Sequence, residues 1–268
     1  MNKASKEKLN KVWKNSYIAL VFLFLYLTIF VVILFSFNTS KMNIVFQDFT
    51  FKWYGTFFKN RSLMEALLNT LIIGIVSTAV STVIGTIGAV GLNRYNFKGK
   101  QILDKLLYIP VVIPEIVLGI ALLSVYSILN IPLGLTSIIL SHITFSIPFV
   151  VITVRARLAG FDKSLEEACM DLGANRILTF RKVTLPLIMP GVLSGAMLAF
   201  SLSLDDVVIS FFTCGPQSTT LPLKIFSMVK TGVTPEVDAL SAVIMLITII
   251  FISINTGMQV KKLKALKA

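Results

Sequence analysis

Charge is what this sequence has least of. Only 14% of its 268 residues are Asp, Glu, Lys or Arg, while 55% are hydrophobic; ordinary globular domains carry about 25% charged residues. A chain this apolar needs lipid around it. Cysteine is nearly missing too: Cys169 and Cys214 fall on opposite membrane faces in the topology derived below. They cannot pair, which excludes a disulfide framework, and no metal site is implied. Histidine occurs once, as His142, beside Ser141 and Thr144 in an apolar run, which suits hydrogen-bonded helix packing better than catalysis. Cys214 precedes Gly215-Pro216 and reads as a turn residue rather than a nucleophile. No Gly-x4-Gly-Lys-Ser/Thr phosphate loop is present, so the chain has no ATPase site of its own. Nothing supports an enzyme. Internal repeats and low-complexity tracts are also missing.

What is present is a series of long apolar runs. A helix needs about 20 residues to cross the hydrocarbon core, and six runs are long enough: Tyr17–Phe37, Leu67–Leu92, Leu106–Leu129, Thr136–Val154, Leu187–Phe212 and Val237–Thr256. The first follows a lysine-rich start, but it is too long for a signal peptide and only Asn38-Thr39-Ser40-Lys41 follows it, with no small-residue cleavage site. It is expected to be retained. The expected class is an all-α integral membrane protein with six transmembrane helices, forming one permease domain over residues 1–268.

The charges that do exist set the orientation. The net charge is +12, yet the cations come in short blocks between apolar runs, not on the continuous face that nucleic acid requires. With the N-terminus inside, 19 of the 25 Lys and Arg lie in inner segments, leaving Lys41, Lys52, Lys59, Arg61, Lys224 and Lys230 outside. The positive-inside rule then puts both termini in the cytoplasm.

The inner segment Arg155–Pro186 is the most informative stretch. Ser164 and Glu167 offer a capping box. Leu165, Ala168, Cys169 and Leu172 recur at helical spacing along one face. Gly173 suits the left-handed turn that ends a helix, Asn175 can cap a second one, and Pro186 suits the first turn of the span that follows. Two short amphipathic helices between spans make a docking surface. The alternative, an interfacial pair lying on lipid, fits poorly, because carboxylates are interspersed with the cations here.

Glu167-Ala168-Cys169, three residues, Gly173, nine residues, then Val183-Thr184-Leu185-Pro186 resembles the cytoplasmic coupling motif of ABC importer permeases, Glu-Ala-Ala, three residues, Gly, nine residues, Ile-x-Leu-Pro. Cys169 for Ala and Val183 for Ile are the two departures, both small and apolar. Further stretches, Ser141–Phe145 leading to Pro148–Val151, Ser203–Val208, and Leu221–Ile225 through Pro235–Val237, are similar to the second permease subunit of polyamine (spermidine/putrescine) importers. The similarity runs from about Trp53 to Thr256. It implies the type I ABC importer permease fold. It also implies a sibling permease, a dimer of a cytosolic ATPase that uses the ATP, and an external polyamine-binding protein. The coupling residues would be Glu167, Ala168, Cys169, Gly173, Val183, Leu185 and Pro186. No cofactor would be bound by this chain, and the localisation would be the bacterial cytoplasmic membrane.

Three acids stand inside the expected spans without a nearby cation: Glu115, Asp205 and Asp206. Uncompensated intramembrane charges are costly and face a pathway or a partner, so all three are candidate pathway residues; pairing with a neighbouring subunit, or staying protonated, is the alternative. Glu115 follows Pro110 and Pro114, an interruption tolerated where backbone lines a cavity. A straight third span would place it about 14 Å from the inner start. Adjacent helical residues point about 100° apart, so only one of the two aspartates is expected to face the pathway. Outside, Phe51-Lys52-Trp53-Tyr54 reads as an aromatic belt, and Leu221–Val229 as a short helix at the outer mouth. Acids without intramembrane bases suit a cationic cargo. The rivals are a similar permease for another solute, such as iron, thiamine or phosphate, and more remotely an ion channel or secondary transporter. A phosphate carrier should show cations in its spans, and this chain has none.

Overall fold

The computed structural model describes residues 3–40, 45–162, 164–232, 234–246 and 249–250. In chain order the helices are α1 (Lys3–Phe35), α2 (Lys52–Lys59), α3 (Arg61–Arg94), α4 (Lys100–Val112), α5 (Glu115–Ile128), α6 (Leu135–Leu158), α7 (Ser164–Asp171) and α8 (Arg176–Thr179). A π-helical segment, Phe180–Thr184, joins α8 to α9 (Leu185–Asp205), and α10 (Val208–Thr213) and α11 (Leu221–Thr231) follow. Residues 235–246 are helical as well. Among the described residues the only β pairing is an isolated bridge, Asn38 to Phe49. The protein is all-helical, as its apolar runs require.

Among the described residues four helices are long and apolar enough to cross a membrane: α1 from Trp13, α3, α6, and the continuous stretch Arg176–Asp205. The α4–α5 pair makes a fifth if it counts as one span. That pair corrects the expectation of a straight third span. The two helices meet at an angle of 113°, because Pro114 holds Ile113 in extended backbone (φ −71°, ψ 136°) and cannot donate to the helix behind it. The rise-per-residue placement of Glu115 fails with it. The fifth expected span also ends early, since α9 stops at Asp205 and Asp206 is extended (ψ 126°). Of the sixth, only residues up to 246 and the pair 249–250 are described. Its remainder, the cation block after Val260, Lys41 and Lys163 lie outside the described residues.

The chain divides into two compact units, Met1–Arg61 with Ser227–Ala268, and Ser62–Phe226. In the first, the link after α1 folds around buried Asn38, whose Nδ2 donates to Val45 O (2.9 Å) and whose Oδ1 accepts from Gln47 N (3.0 Å). Trp53 Nε1 donates to Asn38 O (2.6 Å) and Tyr54 Oη pairs with Ser36 Oγ (2.8 Å). The rings of Phe37, Phe49, Phe51 and Tyr54 pack together. The aromatic stretch thus closes a local loop. Asn60 Nδ2, after α2, donates to Glu236 Oε1 (2.9 Å).

In the second unit the core is shared by α3, α6 and α9: Ala89, Val90 and Leu92 meet Val150, Val151, Val154 and Leu158, with Ile188, Val192 and Ala199 closing the far side. Helices in lipid associate through close contact rather than hydrophobic exclusion, and a small residue makes the contact possible here. A Cβ on Gly85 would lie 2.7 Å from Val150 Cβ, so only glycine lets α3 approach α6. The outward residues of α3, such as Ile72, Ile75, Val83 and Ile87, are exposed, as a lipid-facing stripe should be.

Candidate functional site

The segment expected to dock is built by local signals. α7 begins at Ser164, whose amide donates to Asp162 Oδ1 (3.0 Å). Ser164 is therefore the first helical residue, and the polar acceptor stands two residues earlier than the expected cap. This bond holds the exposed Asp162 carboxyl below its ordinary range. Gly173 adopts φ +89°, the left-handed turn that glycine tolerates, and ends α7 as expected. Asn175 Oδ1 accepts from Leu178 N (2.8 Å) and caps α8. Pro186 lies in the first turn of α9, where its missing N–H costs nothing. The segment is shorter than Arg155–Pro186 suggests: Arg155–Leu158 complete α6, while Leu185 and Pro186 open α9.

Of the motif residues, Glu167, Ala168, Gly173 and Pro186 are exposed, while Cys169, Val183 and Leu185 are half-buried. Leu165 and Leu172 are exposed as well, Leu172 to 91%. Of the four apolar residues at helical spacing, Leu165, Ala168 and Leu172 are therefore turned outward, while Cys169 faces Thr179 of α8. Inward, the segment is tied by residues that the motif does not include. Glu166 Oε1 accepts from the Arg94 guanidinium at the end of α3 and from the Thr184 hydroxyl, and Arg94 Nη2 also reaches Thr184 Oγ1 (2.6 Å). Nearby, Arg155 Nη1 of α6 pairs with Asp104 Oδ1 of α4 (2.7 Å).

The acids fall into different surroundings. Asp205 is exposed at the last position of α9. Asp206 is buried, at 8% exposure, and spans the break: its carboxylate accepts from Ile209 N (3.2 Å) and Ser210 N (2.7 Å), two amides in the first turn of α10. His142 lies beside it, with Nε2 3.4 Å from Asp206 Oδ2, so the expectation of no nearby base fails at this one acid. The same fully buried imidazole places Nδ1 2.6 Å from Ser203 Oγ and Nε2 3.2 Å from Ser210 Oγ, and Ser203 continues to Ser77 Oγ of α3 (3.3 Å). A polar seam thus links α3, α6, α9 and α10. It confirms the packing role of His142, though Ser141 bonds Tyr126 Oη (2.8 Å) and not the histidine. Tyr126 Oη also donates to Ser137 O (3.1 Å), holding α5 to α6.

Glu115 is exposed in the first turn of α5, where the helix dipole favours a carboxylate. α10 packs on α5, with Phe212 against Gly119, so the break after Asp205 and the helix that Glu115 opens belong to one packed group. The sequence reading missed Glu166, Arg94, Thr184, Ser77 and Ser203. The signal available was polar side chains at helical spacing in apolar runs, and the second carboxylate of the Glu166-Glu167 pair. Among the described residues no group of His, Cys, Asp and Glu could hold a metal ion.

An exposed helical turn thus lies between spans, and a polar seam runs within them at the far end of α9. The family of binding-protein-dependent transport system inner membrane components matches residues 81–261. The chain belongs to that family. As a member it is a membrane permease component of such a transport system and not its ATPase. It is similar to the spermidine/putrescine transport system permease protein PotC of Escherichia coli (strain K12), with 42% identity over 244 residues covering 91% of this chain and 92% of that one. It is also similar to the putrescine transport system permease protein PotI of the same organism, at 38% identity, covering 87% of this chain and 85% of that one. Its fold is that of a bacterial ABC transporter involved in the import of the acidic polysaccharide alginate: TM-score 0.74 at 14% identity, covering 97% of this chain and 98% of that one.

Proposed function

We propose that this family member is one of two permease subunits lining the pathway of an ATP-driven polyamine importer, with spermidine or putrescine as cargo. The 42% identity over 91% of the chain to a spermidine/putrescine permease carries the proposal. The whole chain acts as one permease domain with six spans and both termini in the cytoplasm. Its partners are a sibling permease, a cytosolic ATPase dimer that binds and hydrolyses the ATP, and an external polyamine-binding protein.

The geometry supplies the parts such a cycle uses. α7 offers its exposed face, with Glu167, Ala168 and the outward Leu165 and Leu172, to a groove on the ATPase, and the Gly173 turn fixes the angle toward α8. Movement of the ATPase pair displaces this segment and rocks the spans between inward- and outward-open states. Asp205 and Glu115 are both exposed, and among the described residues no salt bridge engages either. They attract an amine more strongly in a partly desolvated cavity than in water. Asp206, buried against His142, serves the framework at that site. Expression of the four components in cells lacking other polyamine importers tests the reading: labelled spermidine should enter. Entry of labelled thiamine or iron without spermidine would transfer the assignment to the rival solute.

A further inference from the structure

We infer that Glu166, Arg94 and Thr184 form a latch through which movement of the docking segment reaches the spans, with Glu166 as its hub. The inference rests on the proposed ATP-driven cycle. α7 has little else to hold it. Its residues Leu165, Glu167, Ala168 and Met170, and Leu172 just beyond it, are exposed; apart from Ser164, bonded to Asp162 just ahead of it, its side chains make polar ties at two positions among the described residues. One is Thr179 Oγ1 of α8 donating to Cys169 Sγ (3.7 Å), a long and weak bond that stays within the docking segment. The other is the Glu166 carboxylate, which joins Arg94 and Thr184.

Those two partners belong to different moving parts. Arg94 is the last residue of α3, and Thr184, fully buried, is the residue before α9. α3 and α9 share the core, and the middle of α3 meets the far end of α9 in the polar seam through Ser77 and Ser203. A charge-assisted bond with low exposure on both sides (23% for Arg94, 13% for Glu166) is stiffer and less screened than a surface pair. A displacement of α7 therefore pulls both helices together. Beside the latch lie an open cavity, lined by Arg94, Tyr95, Glu166, Met170, Arg176 and Thr179, and the π-helical turn at Phe180–Thr184. Such turns interrupt regular helix geometry and recur at functional sites. The cavity leaves room for the carboxylate to swing, and the π turn lets the start of α9 follow it.

Glu166 is thus a positioning residue, distinct from the outward Glu167. The test uses the full complex in liposomes, measuring ATP hydrolysed per spermidine imported for Glu166→Ala, Arg94→Ala and the double variant, with retention of the ATPase checked by co-purification. The expected result is retained ATPase and a ratio raised about fivefold or more, the lower range of coupling between sites. The double variant should be no worse than the poorer single, because groups acting as a unit are not additive. A wild-type ratio in Glu166→Ala would overturn the latch, as would additive losses in the double variant. Loss of the ATPase from Glu166→Ala would also overturn it, by making this residue part of the docking surface. If the wild-type complex itself fails to import spermidine, the proposed function falls instead, and the two failures are told apart.

Discussion

Replacing His142 by alanine removes the hub of the polar seam and leaves its neighbours in place. The fully buried imidazole contacts Ser203, Ser210 and Asp206 at 2.6, 3.2 and 3.4 Å. Two magnitudes compete. Stripping one partner from a buried charge pair costs about 3–5 kcal/mol, whereas side-chain hydrogen bonds between membrane helices average about 0.6 kcal/mol each. Asp206 decides between them, because it keeps the amides of Ile209 and Ser210 and is never left bare. The net loss, including the void left by the ring, is about 2 kcal/mol. In a chain of this size each kcal/mol moves Tm by about 2–4 °C, so the variant should melt about 4–8 °C lower. Scanning fluorimetry of the purified complex in lipid nanodiscs reads this directly. His142→Gln, which can still bridge two hydroxyls, should recover part of the loss. A Tm within about 1 °C of wild type for the alanine variant would refute the seam as a tie between α3, α6, α9 and α10.

The acids should separate by their surroundings: Glu115→Gln and Asp205→Asn reduce polyamine uptake with the complex intact, while Asp206→Asn chiefly lowers Tm. Normal uptake by both exposed-site variants would remove them from the pathway. Gly173→Pro should leave the protein in the membrane but uncouple uptake from ATP hydrolysis, since proline cannot adopt φ +89°; full ATP-driven uptake at normal expression would refute the docking role. Lys52→Cys and Lys224→Cys should react with an impermeant thiol reagent added outside intact cells, and Lys98→Cys should not. Labelling at position 98 would overturn the topology.

The docking segment was the most legible part of the sequence because its signals are local. Asn175 caps over three residues, Gly173 supplies its own backbone freedom, and Pro186 needs only a helix start. The broken span was half legible. Pro114 announces an interruption, but not the 113° angle between the two helices or the packing of α10 against α5, which no local pattern encodes. The pairing of Asp206 with His142 was out of reach for the same reason. The two residues stand in different apolar runs, and only the crossing of α6 with the end of α9 brings them together. Glu166 was overlooked beside its neighbour because α7 turns consecutive residues to different sides, and which side meets Arg94 is settled by tertiary packing.

The most direct test of the account is transport by the reconstituted complex: this chain, its sibling permease and the ATPase in liposomes, with ATP on the ATPase side and labelled spermidine delivered by the binding protein. ATP-dependent accumulation is expected, stopping without ATP and in Gly173→Pro. Accumulation that proceeds equally without ATP, or none of spermidine while another solute is imported, would contradict it.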